Sequence, residues 1–369
     1  MPLLLFNRDR LTIKKLAERK NNNSLEQLSL QAAQEPSDIP DEVSEIIKEC
    51  ALRIRIARDE KRSVMLAFGA HTIKNGLAPV LISLMKEGWL SHLATNGAGI
   101  IHDWEFAFQG TTGENVRENV DKGEFGIWDE TGFFINLAIA TGAYLGLGYG
   151  ESVGKMICDE GLEIPGKDIL IRQAGDLAEE SPDRAAAALD LMSLVNKYNL
   201  KPGFMEITHP FKWFSVQCAA YEMGIPFTGH PMIGHDIIYN HPANNGAAIG
   251  RSALRDFLCF TESVSNLDQG VYMSVGSAIM SPMIFEKALS MAQNIMIQSG
   301  SHIDNHYILV VDLANSEWDW TKNGEPPPDN PAYYLRYNKT FSRMGGAMRY
   351  IKIDTRDFLP ALHRELSSG

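Results

Sequence analysis

The chain has 369 residues, is 44% hydrophobic and 22% charged, and carries a formal net charge of −12 at pH 7. That length and apolar content suffice for one large α/β domain or two ordinary ones. The acidic balance excludes a general nucleic-acid binder or a protein of anionic membrane surfaces, either of which needs a basic face. No window approaches the ~18 consecutive apolar residues of a membrane span.

The N-terminal stretch MPLLLFNRDRLTIKKLAERK places its charges after a short apolar run, the reverse of a secretion signal, so a cytoplasmic location is expected. Cys50, Cys158, Cys218 and Cys259 lie far apart without CxxC spacing. They are expected to be buried free thiols, with neither a zinc site nor a disulfide framework.

Residues 1–40 read as an N-terminal arm and linker, with residues 21–40 as loop, and 41–369 as a single α/β domain. The arm concentrates Arg8, Arg10, Lys14, Lys15, Arg19 and Lys20. It is either a solvated tail or a dock for an acidic neighbouring subunit. From Asp41 apolar residues recur at helical spacing, predicting a helix over 41–60. A buried-strand run follows at 63–68, then a helix over 77–85 and a strand at 92–95. That succession has the length of a βαβ crossover.

Helix-like residues 133–147 lead to the Gly-rich stretch 146–155. The second half alternates again: helix 213–223, strand 225–228, helix 251–263, strand 270–275, helix 282–295, strand 307–312, strand 348–354 and helix 356–366. Alternating units with continuously apolar strands predict a Rossmann-like, mostly parallel sheet with helices on both faces. Residues 314–346 form a long connection, which is more often functional than structural.

Three small-residue turns fall just after predicted strands, where parallel sheets bind ligands. Thr95-Asn-Gly-Ala-Gly99 runs into His102 and Asp103. It either cradles a phosphate at a helix N-terminus or is a plain tight turn. Gly229-His-Pro-Met-Ile-Gly-His-Asp-Ile-Ile-Tyr-Asn-His241 brings His230, His235, Asp236 and His241 together. Its spacing matches no zinc signature, and a polar substrate, a subunit interface and structural histidines all remain open. Gly276-Ser277-Ala278 is the third turn, and together the three suggest an extended ligand across the sheet edge. Gly146–Lys155 imitates a phosphate loop but has the wrong glycine spacing, and Met follows its lysine, so a helix-packing segment is expected.

Taken in order, these pieces resemble deoxyhypusine synthase. Phe68-Gly-Ala-His-Thr-Ile-Lys-Asn-Gly76 and Thr95–Asp103 are similar to that family's first NAD-contacting turn and its Thr-Thr-Ala-Gly-Gly segment. Asp236-Ile-Ile-Tyr-Asn-His241 is similar to its polyamine-contacting Asp-Met-Ile-Phe-Phe-His run. Gly276–Ala278 stands where the family has three glycines, and Asp354 where it has an Asp-Ala-Ser segment.

The resemblance implies NAD as cofactor, held by His71, Thr95, Asn96, Gly97, Ala98, Gly99, Gly276, Ser277, Ala278 and Asp354. It implies a small amine substrate near Asp236 and His241, a protein lysine as acceptor, and a homotetramer. Trp318 and Trp320, alternating with Glu317 and Asp319, would line a polyamine channel by charge and cation–π contact. Two departures stand out. His102 replaces a family glutamate, and the family's catalytic lysine aligns with Lys339 only through a small insertion, with Arg336 at the ungapped position. Lys339 would then form the imine, because an arginine does not lose its proton at workable pH. His102 or His235 would move protons. A different amine or carbonyl substrate, or a catalytically silent ligand-binding protein, is the alternative.

Overall fold

Six apolar runs become the strands β1 (Val64–Phe68), β2 (His92–Thr95), β3 (Phe227–Gly229), β4 (Val271–Val275), β5 (Tyr307–Asp312) and β6 (Ala347–Lys352) of one sheet. This is a computed structural model, and it describes residues 3–32 and 39–368. Every ladder in the sheet is parallel and the spatial order is β6-β5-β4-β1-β2-β3. From β1 the chain winds outward in one direction through β2 and β3, then returns to lay down β4, β5 and β6 on the other side. That is the doubly wound order of dinucleotide-binding folds, and its switch point lies between β1 and β4.

The described chain divides into two units. One comprises Met1–Leu25, Ile100–Cys218 and Pro231–Arg255, and the other Glu26–Gly99, Ala219–His230 and Asp256–Gly369. The second unit contains the whole sheet. β1, β2, β4 and most of β5 are buried throughout, as expected of strands covered on both faces. Alternate residues Met65, Ala67, Tyr272, Ile308 and Val310 pack with Phe285, Ala288 and Leu289 of helix Met280–Gln298 and with Phe341. Helices Asp41–Asp59 and Thr355–Ser367 pack on each other and on the strands from the other side. The long connection 314–346 is broken by short helical turns, and Trp320 and Tyr337 lie in the core.

The first unit is largely helical. Helix Asp129–Leu145 is apolar nearly all round and almost wholly buried, packing on Tyr149–Asp159 and Pro182–Lys197. The Gly-rich stretch 146–155 caps and opens helix Tyr149–Asp159, with Lys155 inside it pairing with Asp159 at 2.5 Å. It is therefore a helix-packing segment, as expected. Among the described residues no single helix is long and apolar enough to cross a membrane.

Two sequence readings need correction. Residues 23–32 are not loop: Asn23–Ser24 pairs antiparallel with Thr111–Thr112, and Leu25–Ala32 is helical. The polar Asn-Asn-Asn-Ser run masks this because its strand partner lies far along the chain. The stretch 33–38 of the same reading falls outside the described residues. Cys158 and Cys218 are not free thiols but joined as a disulfide, and Cys259 is exposed rather than buried. Only Cys50 matches the expectation, fully buried with its thiol pKa pushed up by burial.

One buried ion pair organises the first unit. Arg19 meets Glu105 with two hydrogen bonds of 2.7 Å, both side chains being at most 2% exposed. Thr131 Oγ1 donates to the same carboxylate at 2.9 Å, and Thr112 Oγ1 donates to its other oxygen. Burial alone would raise the Glu105 pKa, but the Arg19 guanidinium outweighs it and the net direction is downward. Arg19→Met should leave an uncompensated buried carboxylate and cost about 3–5 kcal/mol by urea titration at pH 7. Because the folded-state pKa is depressed, this contribution is present above the ordinary glutamate range and lost as pH falls through it. The gap between wild type and Arg19→Met should therefore narrow on acidification.

Candidate active site

The carboxyl ends of β1, β2, β4 and β6 share one edge of a parallel sheet, and the small-residue turns follow them there. At the switch point the two backbones nearly touch: a Cβ on Gly69 would lie 2.1 Å from the Gly276 carbonyl oxygen. Gly276 has φ +57°, and a Cβ there would meet nothing nearer than Thr355 Cγ2 at 3.6 Å. The close approach admits only glycine at position 69, and the left-handed φ favours glycine at 276.

The second turn is held from within. Thr95 Oγ1 donates to the Phe68 carbonyl at 2.9 Å, tying β2 to β1. Asn96 Oδ1 accepts from Gly99 N at 2.9 Å and so caps helix Gly97–Gln109, whose N-terminus opens at this edge. Ser277 is buried, whereas Ala278 and His71 are exposed. Asp354 caps helix Thr355–Ser367 through Arg356 N at 2.8 Å and pairs with the Arg356 guanidinium, which lowers its pKa. The sheet therefore gathers the residues expected to hold a cofactor, His71, Thr95–Gly99, Gly276–Ala278 and Asp354, along one rim.

Beneath that rim runs a polar chain that sequence reasoning missed. His92 bridges Ser263 Oγ at 2.8 Å and Thr228 Oγ1 at 2.9 Å, and Thr228 Oγ1 also contacts His230 Nε2 at 2.9 Å. Burial pushes both imidazoles down to about 3, so they stay neutral at physiological pH. No spacing rule links residues 92, 228 and 263, because only the sheet brings them together.

Lys339 also lies in the second unit, on the short helix Arg336–Phe341. Its ammonium sits 3.5 Å from the centre of the Tyr333 ring, a cation–π contact. Trp320 is buried with its indole N–H bonded to Ser316 Oγ at 2.9 Å, and Trp318 donates to the Gly324 carbonyl at 2.9 Å. Asp319 caps the turn between them. Both indoles are thus engaged in packing this connection.

The remaining predicted residues belong to the first unit. His102 Nδ1 lies 2.7 Å from Thr112 Oγ1, whose own proton goes to Glu105. The network thereby assigns a proton to Nδ1. Asp103, beside it, accepts from Ser215, Val216 and Gln217 and begins the next helix. His235 is exposed. His241 is buried, accepts from Ala243 N at 3.1 Å through Nδ1, and faces Asp129 Oδ1 at 3.3 Å through Nε2. Burial lowers its pKa although Asp129 opposes the shift.

Asp236 carries an unmatched carboxylate oxygen. Burial pushes its pKa up to about 7, and its Oδ2 has no hydrogen-bond partner among the described residues. The Tyr239 hydroxyl is likewise unpartnered, and Asp236 contributes to raising its pKa after burial does. An orphaned buried carboxylate is costly unless something positive meets it.

The strand order and its switch point define a doubly wound α/β chain of dinucleotide-fold type. No family model matches the sequence, and no curated protein matches it. Solved structures do align. A LOR/SDH protein of Methanococcus maripaludis is similar at 14% identity and TM-score 0.44, covering 91% of this chain and 73% of its own. AgrE, crystallised with ornithine and NAD+, gives 14% identity and TM-score 0.44, covering 90% of this chain and 34% of its own. This chain therefore spans about a third of AgrE. A deoxyhypusine synthase of Entamoeba histolytica gives 9% identity and TM-score 0.37, covering 88% and 89% of the two chains.

The elevated Asp236 pKa has a measurable consequence. The folded protein retains a proton there that the unfolded chain loses near pH 4, so stability falls as pH rises from about 4 toward 7. Asp236→Asn should raise the melting temperature clearly at pH 8 and little at pH 4.5, as read by calorimetry.

Proposed function

We propose that the chain is an NAD-dependent enzyme of amine substrates, acting by aminoalkyl transfer. The observation that carries the reading is the β1–β4 switch point, where the Gly69 and Gly276 backbones meet at the carboxyl edge of the parallel sheet. Cofactor binding is assigned to this rim: the Gly276–Ala278 turn and the helix N-terminus at Gly97 take the pyrophosphate. His71, Thr95, Asn96 and Asp354 take the ribose and nicotinamide ends. When bound, NAD supplies reversible hydride acceptance from an amine-bearing carbon.

The protein's own groups do the rest in this reading. Asp236, with an unpartnered oxygen and a pKa near neutrality, releases its proton when an ammonium arrives and anchors it. Tyr239 lies within electrostatic reach of it, and His241 contributes to the substrate site in this reading. His102, with a proton on Nδ1, accepts the proton that a substrate amine loses. His235 serves as an exposed proton relay. Lys339, as a neutral amine, attacks the imine carbon and expels the first amine; the amine of an acceptor, such as a protein lysine, then displaces Lys339, and return of the hydride first taken up would reduce the new imine to the product amine. Trp318 and Trp320 border the amine's path. A homotetramer completes this reading.

A second reading keeps NAD and the amine but drops Lys339 as nucleophile. The cation–π contact with Tyr333 favours it, because that contact stabilises the ammonium rather than the free amine.

Calorimetric titration of NAD, with and without spermidine, tests the whole. Binding of NAD tightened by spermidine is expected, with Ala278→Glu weakening NAD at least about tenfold by placing bulk and negative charge on an exposed rim position. Spermidine binding should release a proton between pH 5 and 7, seen as a buffer-dependent heat that Asp236→Asn abolishes. Absence of NAD binding at millimolar concentration rejects the proposal. Borohydride trapping of substrate on Lys339 separates the two readings.

A further inference from the structure

The opposite, amino-terminal edge of the sheet carries an open cavity of about 250 Å³ that the reading above does not use. Arg58, Lys61, Arg62, Trp89, Ser91 and Asn266 line it, where the chain enters β1 and β2. Arg58 lays its guanidinium over the Trp89 ring, 4.3 Å from the centroid. The chain turns sharply after helix Asp41–Asp59, with Lys61 at φ +55°. That turn is fixed by Arg62 N donating to the Ala57 carbonyl at 2.7 Å and Asn266 Nδ2 donating to the Lys61 carbonyl at 2.9 Å. A residue rarely takes this left-handed conformation unless the surroundings hold it.

The three cations line one cavity that has no carboxylate in its lining, although Asp268 attracts Arg62. Among the described residues none of them forms an ion pair with a carboxylate, and the buried Arg62 Nε has no partner. Arg62 reaches only the Asn266 amide oxygen, at 3.4 Å. Two nearby acids are hydrogen-bonded to other groups. Glu87 accepts from His363 at 2.8 Å and from the Trp89 indole at 2.9 Å, while Asp268 accepts from the Asp304 and Asn305 amides at 3.0 and 2.9 Å. On a chain of net charge −12, three cations around one concavity with no acidic lining residue mark a place for a multiply charged anion.

We propose that this basin is a second binding site, specific for a phosphoryl group. Two guanidinium forks and one ammonium match its oxygens, and the forks bind bidentately where a monovalent halide cannot. The cavity exceeds the volume of a bare phosphate, at ~30 Å³ per displaced water. A small phosphomonoester therefore fits as well as inorganic phosphate.

The test is thermal shift and calorimetry on the full chain with inorganic phosphate and with glycerol phosphate, against chloride at matched ionic strength. A phosphoryl-specific stabilisation is expected, retained by Ala278→Glu and weakened about tenfold by Lys61→Gln and by Arg58→Gln, both at exposed positions. Tighter binding of the ester identifies an organic phosphate as the ligand, and equal binding identifies the free anion. The proposal is overturned if chloride matches phosphate. It is equally overturned if both cavity variants retain the full effect, which would put the anion at the carboxyl edge instead.

Discussion

The pairing of β1 with β4 is the constraint on which the second unit depends. Val64–Phe68 and Val271–Val275 are joined by a parallel ladder although about two hundred residues separate them in the chain. Closing so long an excursion costs conformational entropy, though only logarithmically in its length. The return comes from two fully buried strands at the centre of a sheet covered on both faces. Placing them side by side creates the switch point, and the close backbone approach there leaves room for glycine alone at position 69.

The parallel arrangement also separates two chemistries. At the carboxyl edge the chain ends its strands in small residues and opens helix N-termini, a surface of backbone donors with little side-chain bulk. At the amino edge the incoming segments carry Arg58, Lys61 and Arg62 around an aromatic ring. Both edges suit anions, one through oriented peptide groups and the other through side-chain charge. A chain that is strongly acidic in total thus keeps its positive potential for particular places.

Two buried carboxylates of the first unit follow contrasting rules. Glu105 is surrounded by Arg19, Thr112 and Thr131 and remains ionised, so it acts as structure. Asp236 has the same functional group with an oxygen left unmet, and burial then holds its proton near neutrality. The difference is one of partners rather than depth, and unmatched partners are what distinguish a ligand site from a framework.

Much of the second unit was legible in the sequence. Apolar runs bounded by Gly at 69, 276 and 97 located the strands and the rim. Helical spacing located 41–59, 280–298 and 355–367 to within a few residues, because burying one face imposes a local period. The Asn23–Ser24 pairing, the Cys158–Cys218 bridge, the His92–Thr228–His230 chain and the company of Glu105 were not legible. Each joins residues whose partners lie far along the chain and repeat at no period. Local pattern therefore determined the fold class and where the turns would come. Only tertiary structure decided which buried charges are satisfied, because satisfaction depends on groups that strand order alone brings within hydrogen-bond reach.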